Sequence, residues 1–179
     1  MDTLLPVLRP AGWPDRAHCW ARPLLPLPDA PLVTLTQQVQ PLLVTLGPRR
    51  LALLGLTPSA AEARAIANLA LLPAPWRALQ SPTPRGGWLE IQVLRGPLAA
   101  SRILDTRALA ALGRQIIGAD SLAVALPRAD LLLATPAAWA LDGDFGAVAL
   151  GLTVGSPEPL SPRIFLVEGG VLVGTLGAR

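Results

Sequence analysis

The chain has 179 residues, 51% hydrophobic and only 15% charged, which excludes intrinsic disorder and is within the size of one domain. Its net charge is +3, and all 15 of its basic residues are arginines dispersed along the chain, with Arg49-Arg50 the one adjacent pair, so no polycationic stripe is present. A single cysteine, Cys19, excludes an internal disulfide, and no unbroken run of about 18 apolar residues is long enough to span a membrane.

These features point to a cytoplasmic protein with no membrane partner. The start, MDTLLPVLRP, carries an acid at position 2 and no basic cluster, so it does not read as a signal peptide. The exclusive use of Arg, with abundant Ala, Gly and Pro, reads as the coding bias of a GC-rich bacterial genome.

Residues 1–30 are rich in proline, carry Trp13 and Trp20, and show neither a helical nor a strand period. They are expected to form a stiff, irregular arm, followed by one domain over 31–179. In PLVTLTQQVQPLLVTL, Val33 and Leu35 alternate with Thr34 and Thr36, and a second apolar run follows the glutamines; this predicts a hairpin with Pro41 at a strand start or edge. Gly47 and Pro48 open a short helix that Gly55 closes. Thr57 is an N-cap, with Pro58 at the first helical position and Ala63, Ile66, Ala67 and Ala70 as the expected buried face.

Trp76 to Gly87 reads as a proline-rich loop, and GWLEIQVL alternates as a half-buried strand. Asp105 is expected to cap a helix to about Ile117, with Leu109, Leu112 and Ile116 on one face and Gly118 just beyond. Ser121–Leu126 and Asp130–Thr135 form the strands of a second hairpin around Pro127, Arg128, Ala129 and Asp130. Another helix is expected over Gly143–Val154 on Phe145, Val148, Ala149 and Leu152. The last hairpin turns at Glu168-Gly169-Gly170. The class is therefore α+β: an antiparallel sheet built of hairpins with helices packed on it, in a single domain.

GLTPSAAEARAIANL, ASRILD, ALPRADLLLATP and PLSPRIFLVEGG, in that order, resemble the bacterial YtpQ-like family, over about Arg22 to Val173. The resemblance places family features on Ala67, Asn68 and Leu69, on Ser101, Arg102 and Leu104, on Pro127, Arg128 and Asp130, and on Pro159, Leu160, Ser161, Pro162 and Phe165. Ala129 stands where relatives carry a polar or basic residue. The family has no established activity, so the resemblance implies kinship and no chemistry.

Each candidate for chemistry has a plainer reading beside it. Arg128 and Asp130 fit a solvated turn in which proline sets one dihedral and aspartate bonds its own backbone; the functional alternative has Arg128 bind an acidic group that Asp130 orients. His18 and Cys19 are neighbours whose side chains diverge in an extended chain, which disfavours a Cys-His nucleophile. Asp142 and Asp144, with Asp130 or Glu168, have the composition of a magnesium site, but an acid at a helix start is explained by capping. Ser101 lacks an activating base, Asn68 is expected to bond backbone, and Gly86-Gly87 and Gly169-Gly170 belong to turns rather than phosphate loops.

The expected function is that of a non-catalytic protein-binding or adaptor module, acting on another protein or on a second copy of itself through a sheet face or the arm. Its binding residues are expected among Arg102, Arg128, Asp130 and Arg163, with no catalytic residue, metal or cofactor. The alternative is arginine-based binding of nucleic acid or another polyanion, should folding gather Arg49, Arg50, Arg64, Arg102 and Arg114; a metal-dependent hydrolase or transferase ranks last. An exposed apolar patch, clustered arginines and paired carboxylates in one cleft are their respective signatures.

Overall fold

The computed structural model describes residues 3–39, 42–83 and 85–177. The chain is α+β, with antiparallel sheets of four and six strands, and it groups into two compact units, 1–73 and 74–179.

In the first unit, β1 (Thr3–Arg9) pairs antiparallel with β3 (Leu32–Val39) along its whole length. The other edge of β3 is shared end to end by β2 (Ala21–Pro23) and β4 (Leu42–Thr45). Where these two short strands meet, the Trp20 amide donates to the Leu46 carbonyl at 2.9 Å and the Leu46 amide to the Leu35 carbonyl at 2.8 Å. The hairpin of β3 and β4 is as expected; Pro41 lies outside the described residues.

Residues 3–9, read from sequence as irregular, are thus a strand. Pro6 interrupts the pattern but sits on an edge strand, where one row of amide positions faces no partner and proline is tolerated. Two buried threonines complete the pairing, Thr34 Oγ1 donating to the Val7 carbonyl at 2.9 Å and Thr36 Oγ1 to the Leu5 carbonyl at 3.1 Å.

Helices α1 (Pro48–Leu53) and α2 (Pro58–Ala70) pack Leu51, Ala61 and Ala65 against Leu4, Leu35 and Leu46. Thr57 caps α2 as expected, its Oγ1 accepting the Ala60 amide at 3.2 Å. The buried face is Ala61, Ala65 and Leu69; Ala63, Ala67 and Ala70 are exposed and Ile66 is half-buried. Alanine lies on every side of this helix, so apolar spacing alone does not single out one face. Asn68 does bond backbone, its Nδ2 donating to the Leu4 carbonyl at 2.9 Å, and Arg22 Nε donates to both Glu62 oxygens at 2.9 and 3.0 Å.

The second unit is a six-stranded sheet of three hairpins: β5 (Arg77–Pro82) with β6 (Trp88–Arg95), β7 (Ser121–Arg128) with β8 (Leu131–Pro136), and β9 (Ile164–Glu168) with β10 (Val171–Leu176). Their spatial order is β10-β9-β7-β8-β6-β5. Strand β5 falls where a loop was expected. It is an edge strand with almost no buried side chain, so its sequence shows no alternation, and backbone pairing to β6 defines it.

One face of this sheet, bearing Leu89, Ile91, Val93, Ala123, Ala125, Leu131 and Leu133, packs against Phe145 and Ala149 of a helix over Asp144–Val154. The opposite face, bearing Leu122, meets a short helical turn over Ala100–Leu104 and the helix Thr106–Ala111, which continues as a wider π winding over Leu112–Ile117. In chain order these helices are α3 (Thr106–Ala111), α4 (Ala137–Ala140) and α5 (Asp144–Val154). Asp105 caps α3 and Gly118 ends the π winding with a φ of 74°, both as expected. Ile116 is 51% exposed rather than on the Leu109–Leu112 face, because the π winding breaks the 3.6-residue register. In α5 the buried residues are Phe145, Ala149 and Thr153, whereas Val148 is half-buried and Leu152 is exposed.

The β9–β10 turn has positive φ at both Gly169 (56°) and Gly170 (90°), as a tight hairpin of that type requires. A Cβ on Gly170 would lie 2.1 Å from the Thr106 carbonyl oxygen and 2.8 Å from the Ala110 Cβ, whereas one on Gly169 meets open space. Gly170→Ala is expected to cost about 3 kcal/mol from left-handed strain plus overlap, and Gly169→Ala about 1 kcal/mol from strain alone, by urea denaturation. Equal losses would contradict the close approach of α3 to this turn.

Candidate functional site

Strand β7 carries a bulge between Ala125 and Arg128, and Arg128 pairs with Leu131 across a two-residue turn of Ala129 and Asp130. Neither turn residue has positive φ. Pro127, which has no amide proton, occupies the bulge, where no ladder bond is demanded of it.

Four backbone hydrogen bonds gather other segments here. The Leu126 and Pro127 carbonyls accept the Ser161 and Leu160 amides at 3.1 and 2.9 Å. The Ala129 and Asp130 carbonyls accept the Ala100 and Gly96 amides at 3.1 and 3.0 Å. The segments bearing Arg102, Arg128, Asp130 and Arg163 therefore converge at one end of the sheet.

Their side chains divide into two kinds. Arg128 Nε lies 3.0 Å from Asp130 Oδ1 and its Nη2 donates to Oδ2 at 3.3 Å, in a pair that is 38% and 57% exposed. Arg102 Nη1 donates to Asp105 Oδ2 at 2.7 Å with both side chains buried, and Asp105 Oδ1 accepts the Ala108 amide at 3.0 Å. One carboxylate thus caps α3 and neutralises a buried guanidinium. Ser101 is buried within the preceding helical turn, and Asp105 caps α3. Ser161, also buried, accepts the Arg163 amide on its Oγ at 3.2 Å.

An open cleft of about 290 Å³ borders the turn, lined by Arg128, Ala129, Asp130, Ser156, Pro157 and Glu158. Among the described residues that line it, the one cation is matched by Asp130, and the Ser156 hydroxyl accepts the Glu158 amide at 3.2 Å. This arrangement holds loops in place.

The remaining candidates lie elsewhere. Asp130 and Glu168 stand at opposite ends of β7, since Glu168 pairs with Ser121. Gly143, at the N-cap of α5 with φ 84°, makes no side-chain cap, so the expected aspartate cap is not formed; Asp144 sits in the first turn, where the helix dipole favours its charge. Among the described residues, no group of three or more His, Cys, Asp or Glu side chains is placed to hold a metal ion. The Cys19 thiol is raised above its ordinary pKa, by burial first and by Asp15 next, with Arg9 opposing, which disfavours the thiolate. Arg102, buried against Asp105, is withdrawn from any basic surface, while Arg49, Arg50, Arg64 and Arg114 are exposed.

The outer side of α5 is a further feature of this unit. Ala147, Leu150, Gly151 and Val154, at positions i, i+3, i+4 and i+7, are all exposed, and the helix carries no charge after Asp144. The signal was present in DFGAVALGLTV, which is more apolar than one buried face requires.

No family model, curated protein or solved structure matches this chain. Among the described residues, no helix is long and apolar enough to cross a membrane.

Removing Arg102 leaves Asp105 buried with its charge unmatched, so Arg102→Met is expected to cost about 3–5 kcal/mol in denaturant unfolding. The exposed pair is different: Arg128→Ala combined with Asp130→Ala is expected to cost under about 1 kcal/mol. A loss from the double variant as large as that from Arg102→Met would show that the turn pair is structurally engaged.

Proposed function

We propose that this protein is a cytoplasmic, non-catalytic protein-binding module whose docking face is the outer side of α5. One observation carries the reading: a helix with an apolar inner face of Phe145 and Ala149 also presents an uncharged outer stripe of Ala147, Leu150, Gly151 and Val154. A surface helix ordinarily turns charged residues outward, and one that is apolar on all sides belongs in an interior. Leu150 is 49% and Val154 77% exposed, and full burial of such side chains is worth about 1.5–3 kcal/mol each. Ala147 and Gly151 beside them allow a second backbone to approach closely. Leu141, 71% exposed just before the helix, adds apolar surface of the same kind. Partner protein and second copy are both accommodated, since either supplies the missing apolar cover.

The test is Leu150→Glu with Val154→Glu. Both side chains point outward, so stability is expected to change by less than about 1 kcal/mol. The native chain is expected to retain a stoichiometric protein partner in affinity purification, or to self-associate in light scattering, and the double variant to lose that association. Association unchanged in the double variant, or capture of nucleic acid alone, would overturn the reading.

A further inference from the structure

Strand pairing places Arg77 of β5 opposite Val93 of β6, and Arg95 lies two residues beyond Val93 on the same face. Neighbours so related are about 7–8 Å apart, close enough for two guanidinium groups to address one oxyanion. Both arginines are exposed, and neither takes part in an ion pair or side-chain hydrogen bond among the described residues. They border a groove of about 440 Å³ whose other lining residues, among those described, are Pro75, Ala78, Leu79 and Val93, none of them acidic. Two like charges held side by side on a sheet repel each other unless an anion lies between them.

We propose that this groove is a binding site for a small amphiphilic anion, a carboxylate or phosphate head gripped by Arg77 and Arg95 with its apolar body along Leu79 and Val93. The planar forks of arginine match either head in two-point fashion. The volume is that of a small-molecule site, and β5 is the last strand of its sheet. Two cations and an aliphatic floor suit a small ligand better than a polynucleotide, which needs a longer basic track and stacking aromatics. The site is separate from the outer stripe of α5 and stands or falls independently of it.

The experiment titrates the full chain with octanoate and with octyl phosphate by calorimetry, with acetate, inorganic phosphate and octanol as controls, and repeats the titrations on Arg77→Gln and Arg95→Gln. Saturable binding of one or both octyl anions is expected, stronger than that of acetate or inorganic phosphate and weakened about tenfold or more by either substitution. The tighter of the two identifies the head group. Both variants are expected to melt at or slightly above the native temperature without ligand, because each relieves the repulsion, and to show a smaller ligand-induced rise. Binding of neither octyl anion, binding unchanged in both variants, or octanol binding as tightly as the anions would overturn the proposal.

Discussion

Strand β7 lies inside a sheet that is covered on both faces, and Leu122 to Leu126 are almost fully buried. Every polar backbone group in such a strand must find a partner, yet its end carries Pro127, which offers no amide proton. The bulge resolves this conflict. It takes proline out of the ladder and leaves the Leu126 and Pro127 carbonyls to the amides of Ser161 and Leu160. The turn that follows presents two more carbonyls to Gly96 and Ala100. Two loops far apart in the sequence, at 96–100 and 160–161, are thereby fixed to the β7–β8 turn at one end of the sheet.

The charged residues at that end serve the same purpose at two levels of exposure. Burying Arg102 is tolerable because Asp105 supplies a carboxylate at 2.7 Å, and Asp105 is itself held by the amide it caps. Arg128 and Asp130 make a similar pair in water, where it contributes little to stability. Polar groups here are matched to one another. Unmatched surface of this unit includes an outer helix stripe with no charge and, among the described residues, a pair of arginines with no acid beside them.

Much of the fold was legible in the sequence because particular residues have one physical use. Thr57 before Pro58, Asp105 before Thr106, and the paired glycines at 169 and 170 each mark a boundary that the structure keeps. Two edge strands, β1 and β5, were not legible, unlike the edge strand β10, which the Gly169-Gly170 turn announces. Strand β1 contains a proline and β5 buries almost nothing, so neither shows the alternation that identifies a half-buried strand. Helix faces were misjudged where small or apolar residues lie all round, as in α2 and α5, and where a π winding turns Ile116 outward. For the candidate site, the sequence singled out Arg102, Arg128, Asp130 and Arg163 but not which of them is buried: Arg102 and Asp105 are i,i+3 neighbours, but only tertiary packing takes that pair out of water. Arg77 could not be joined to Arg95 without the register of a strand that read as a loop.

The central claim is that association occurs on the outer face of α5 and that the β7–β8 turn is a clamp. Site-specific photo-crosslinking tests it most directly, with p-benzoylphenylalanine placed in turn at Leu150 and at Arg128 of the full chain. The account predicts a crosslink to a partner protein or a second copy from position 150 and none from position 128. A crosslink from position 128 with none from position 150 would contradict it, and would make the exposed arginine-aspartate turn the binding surface.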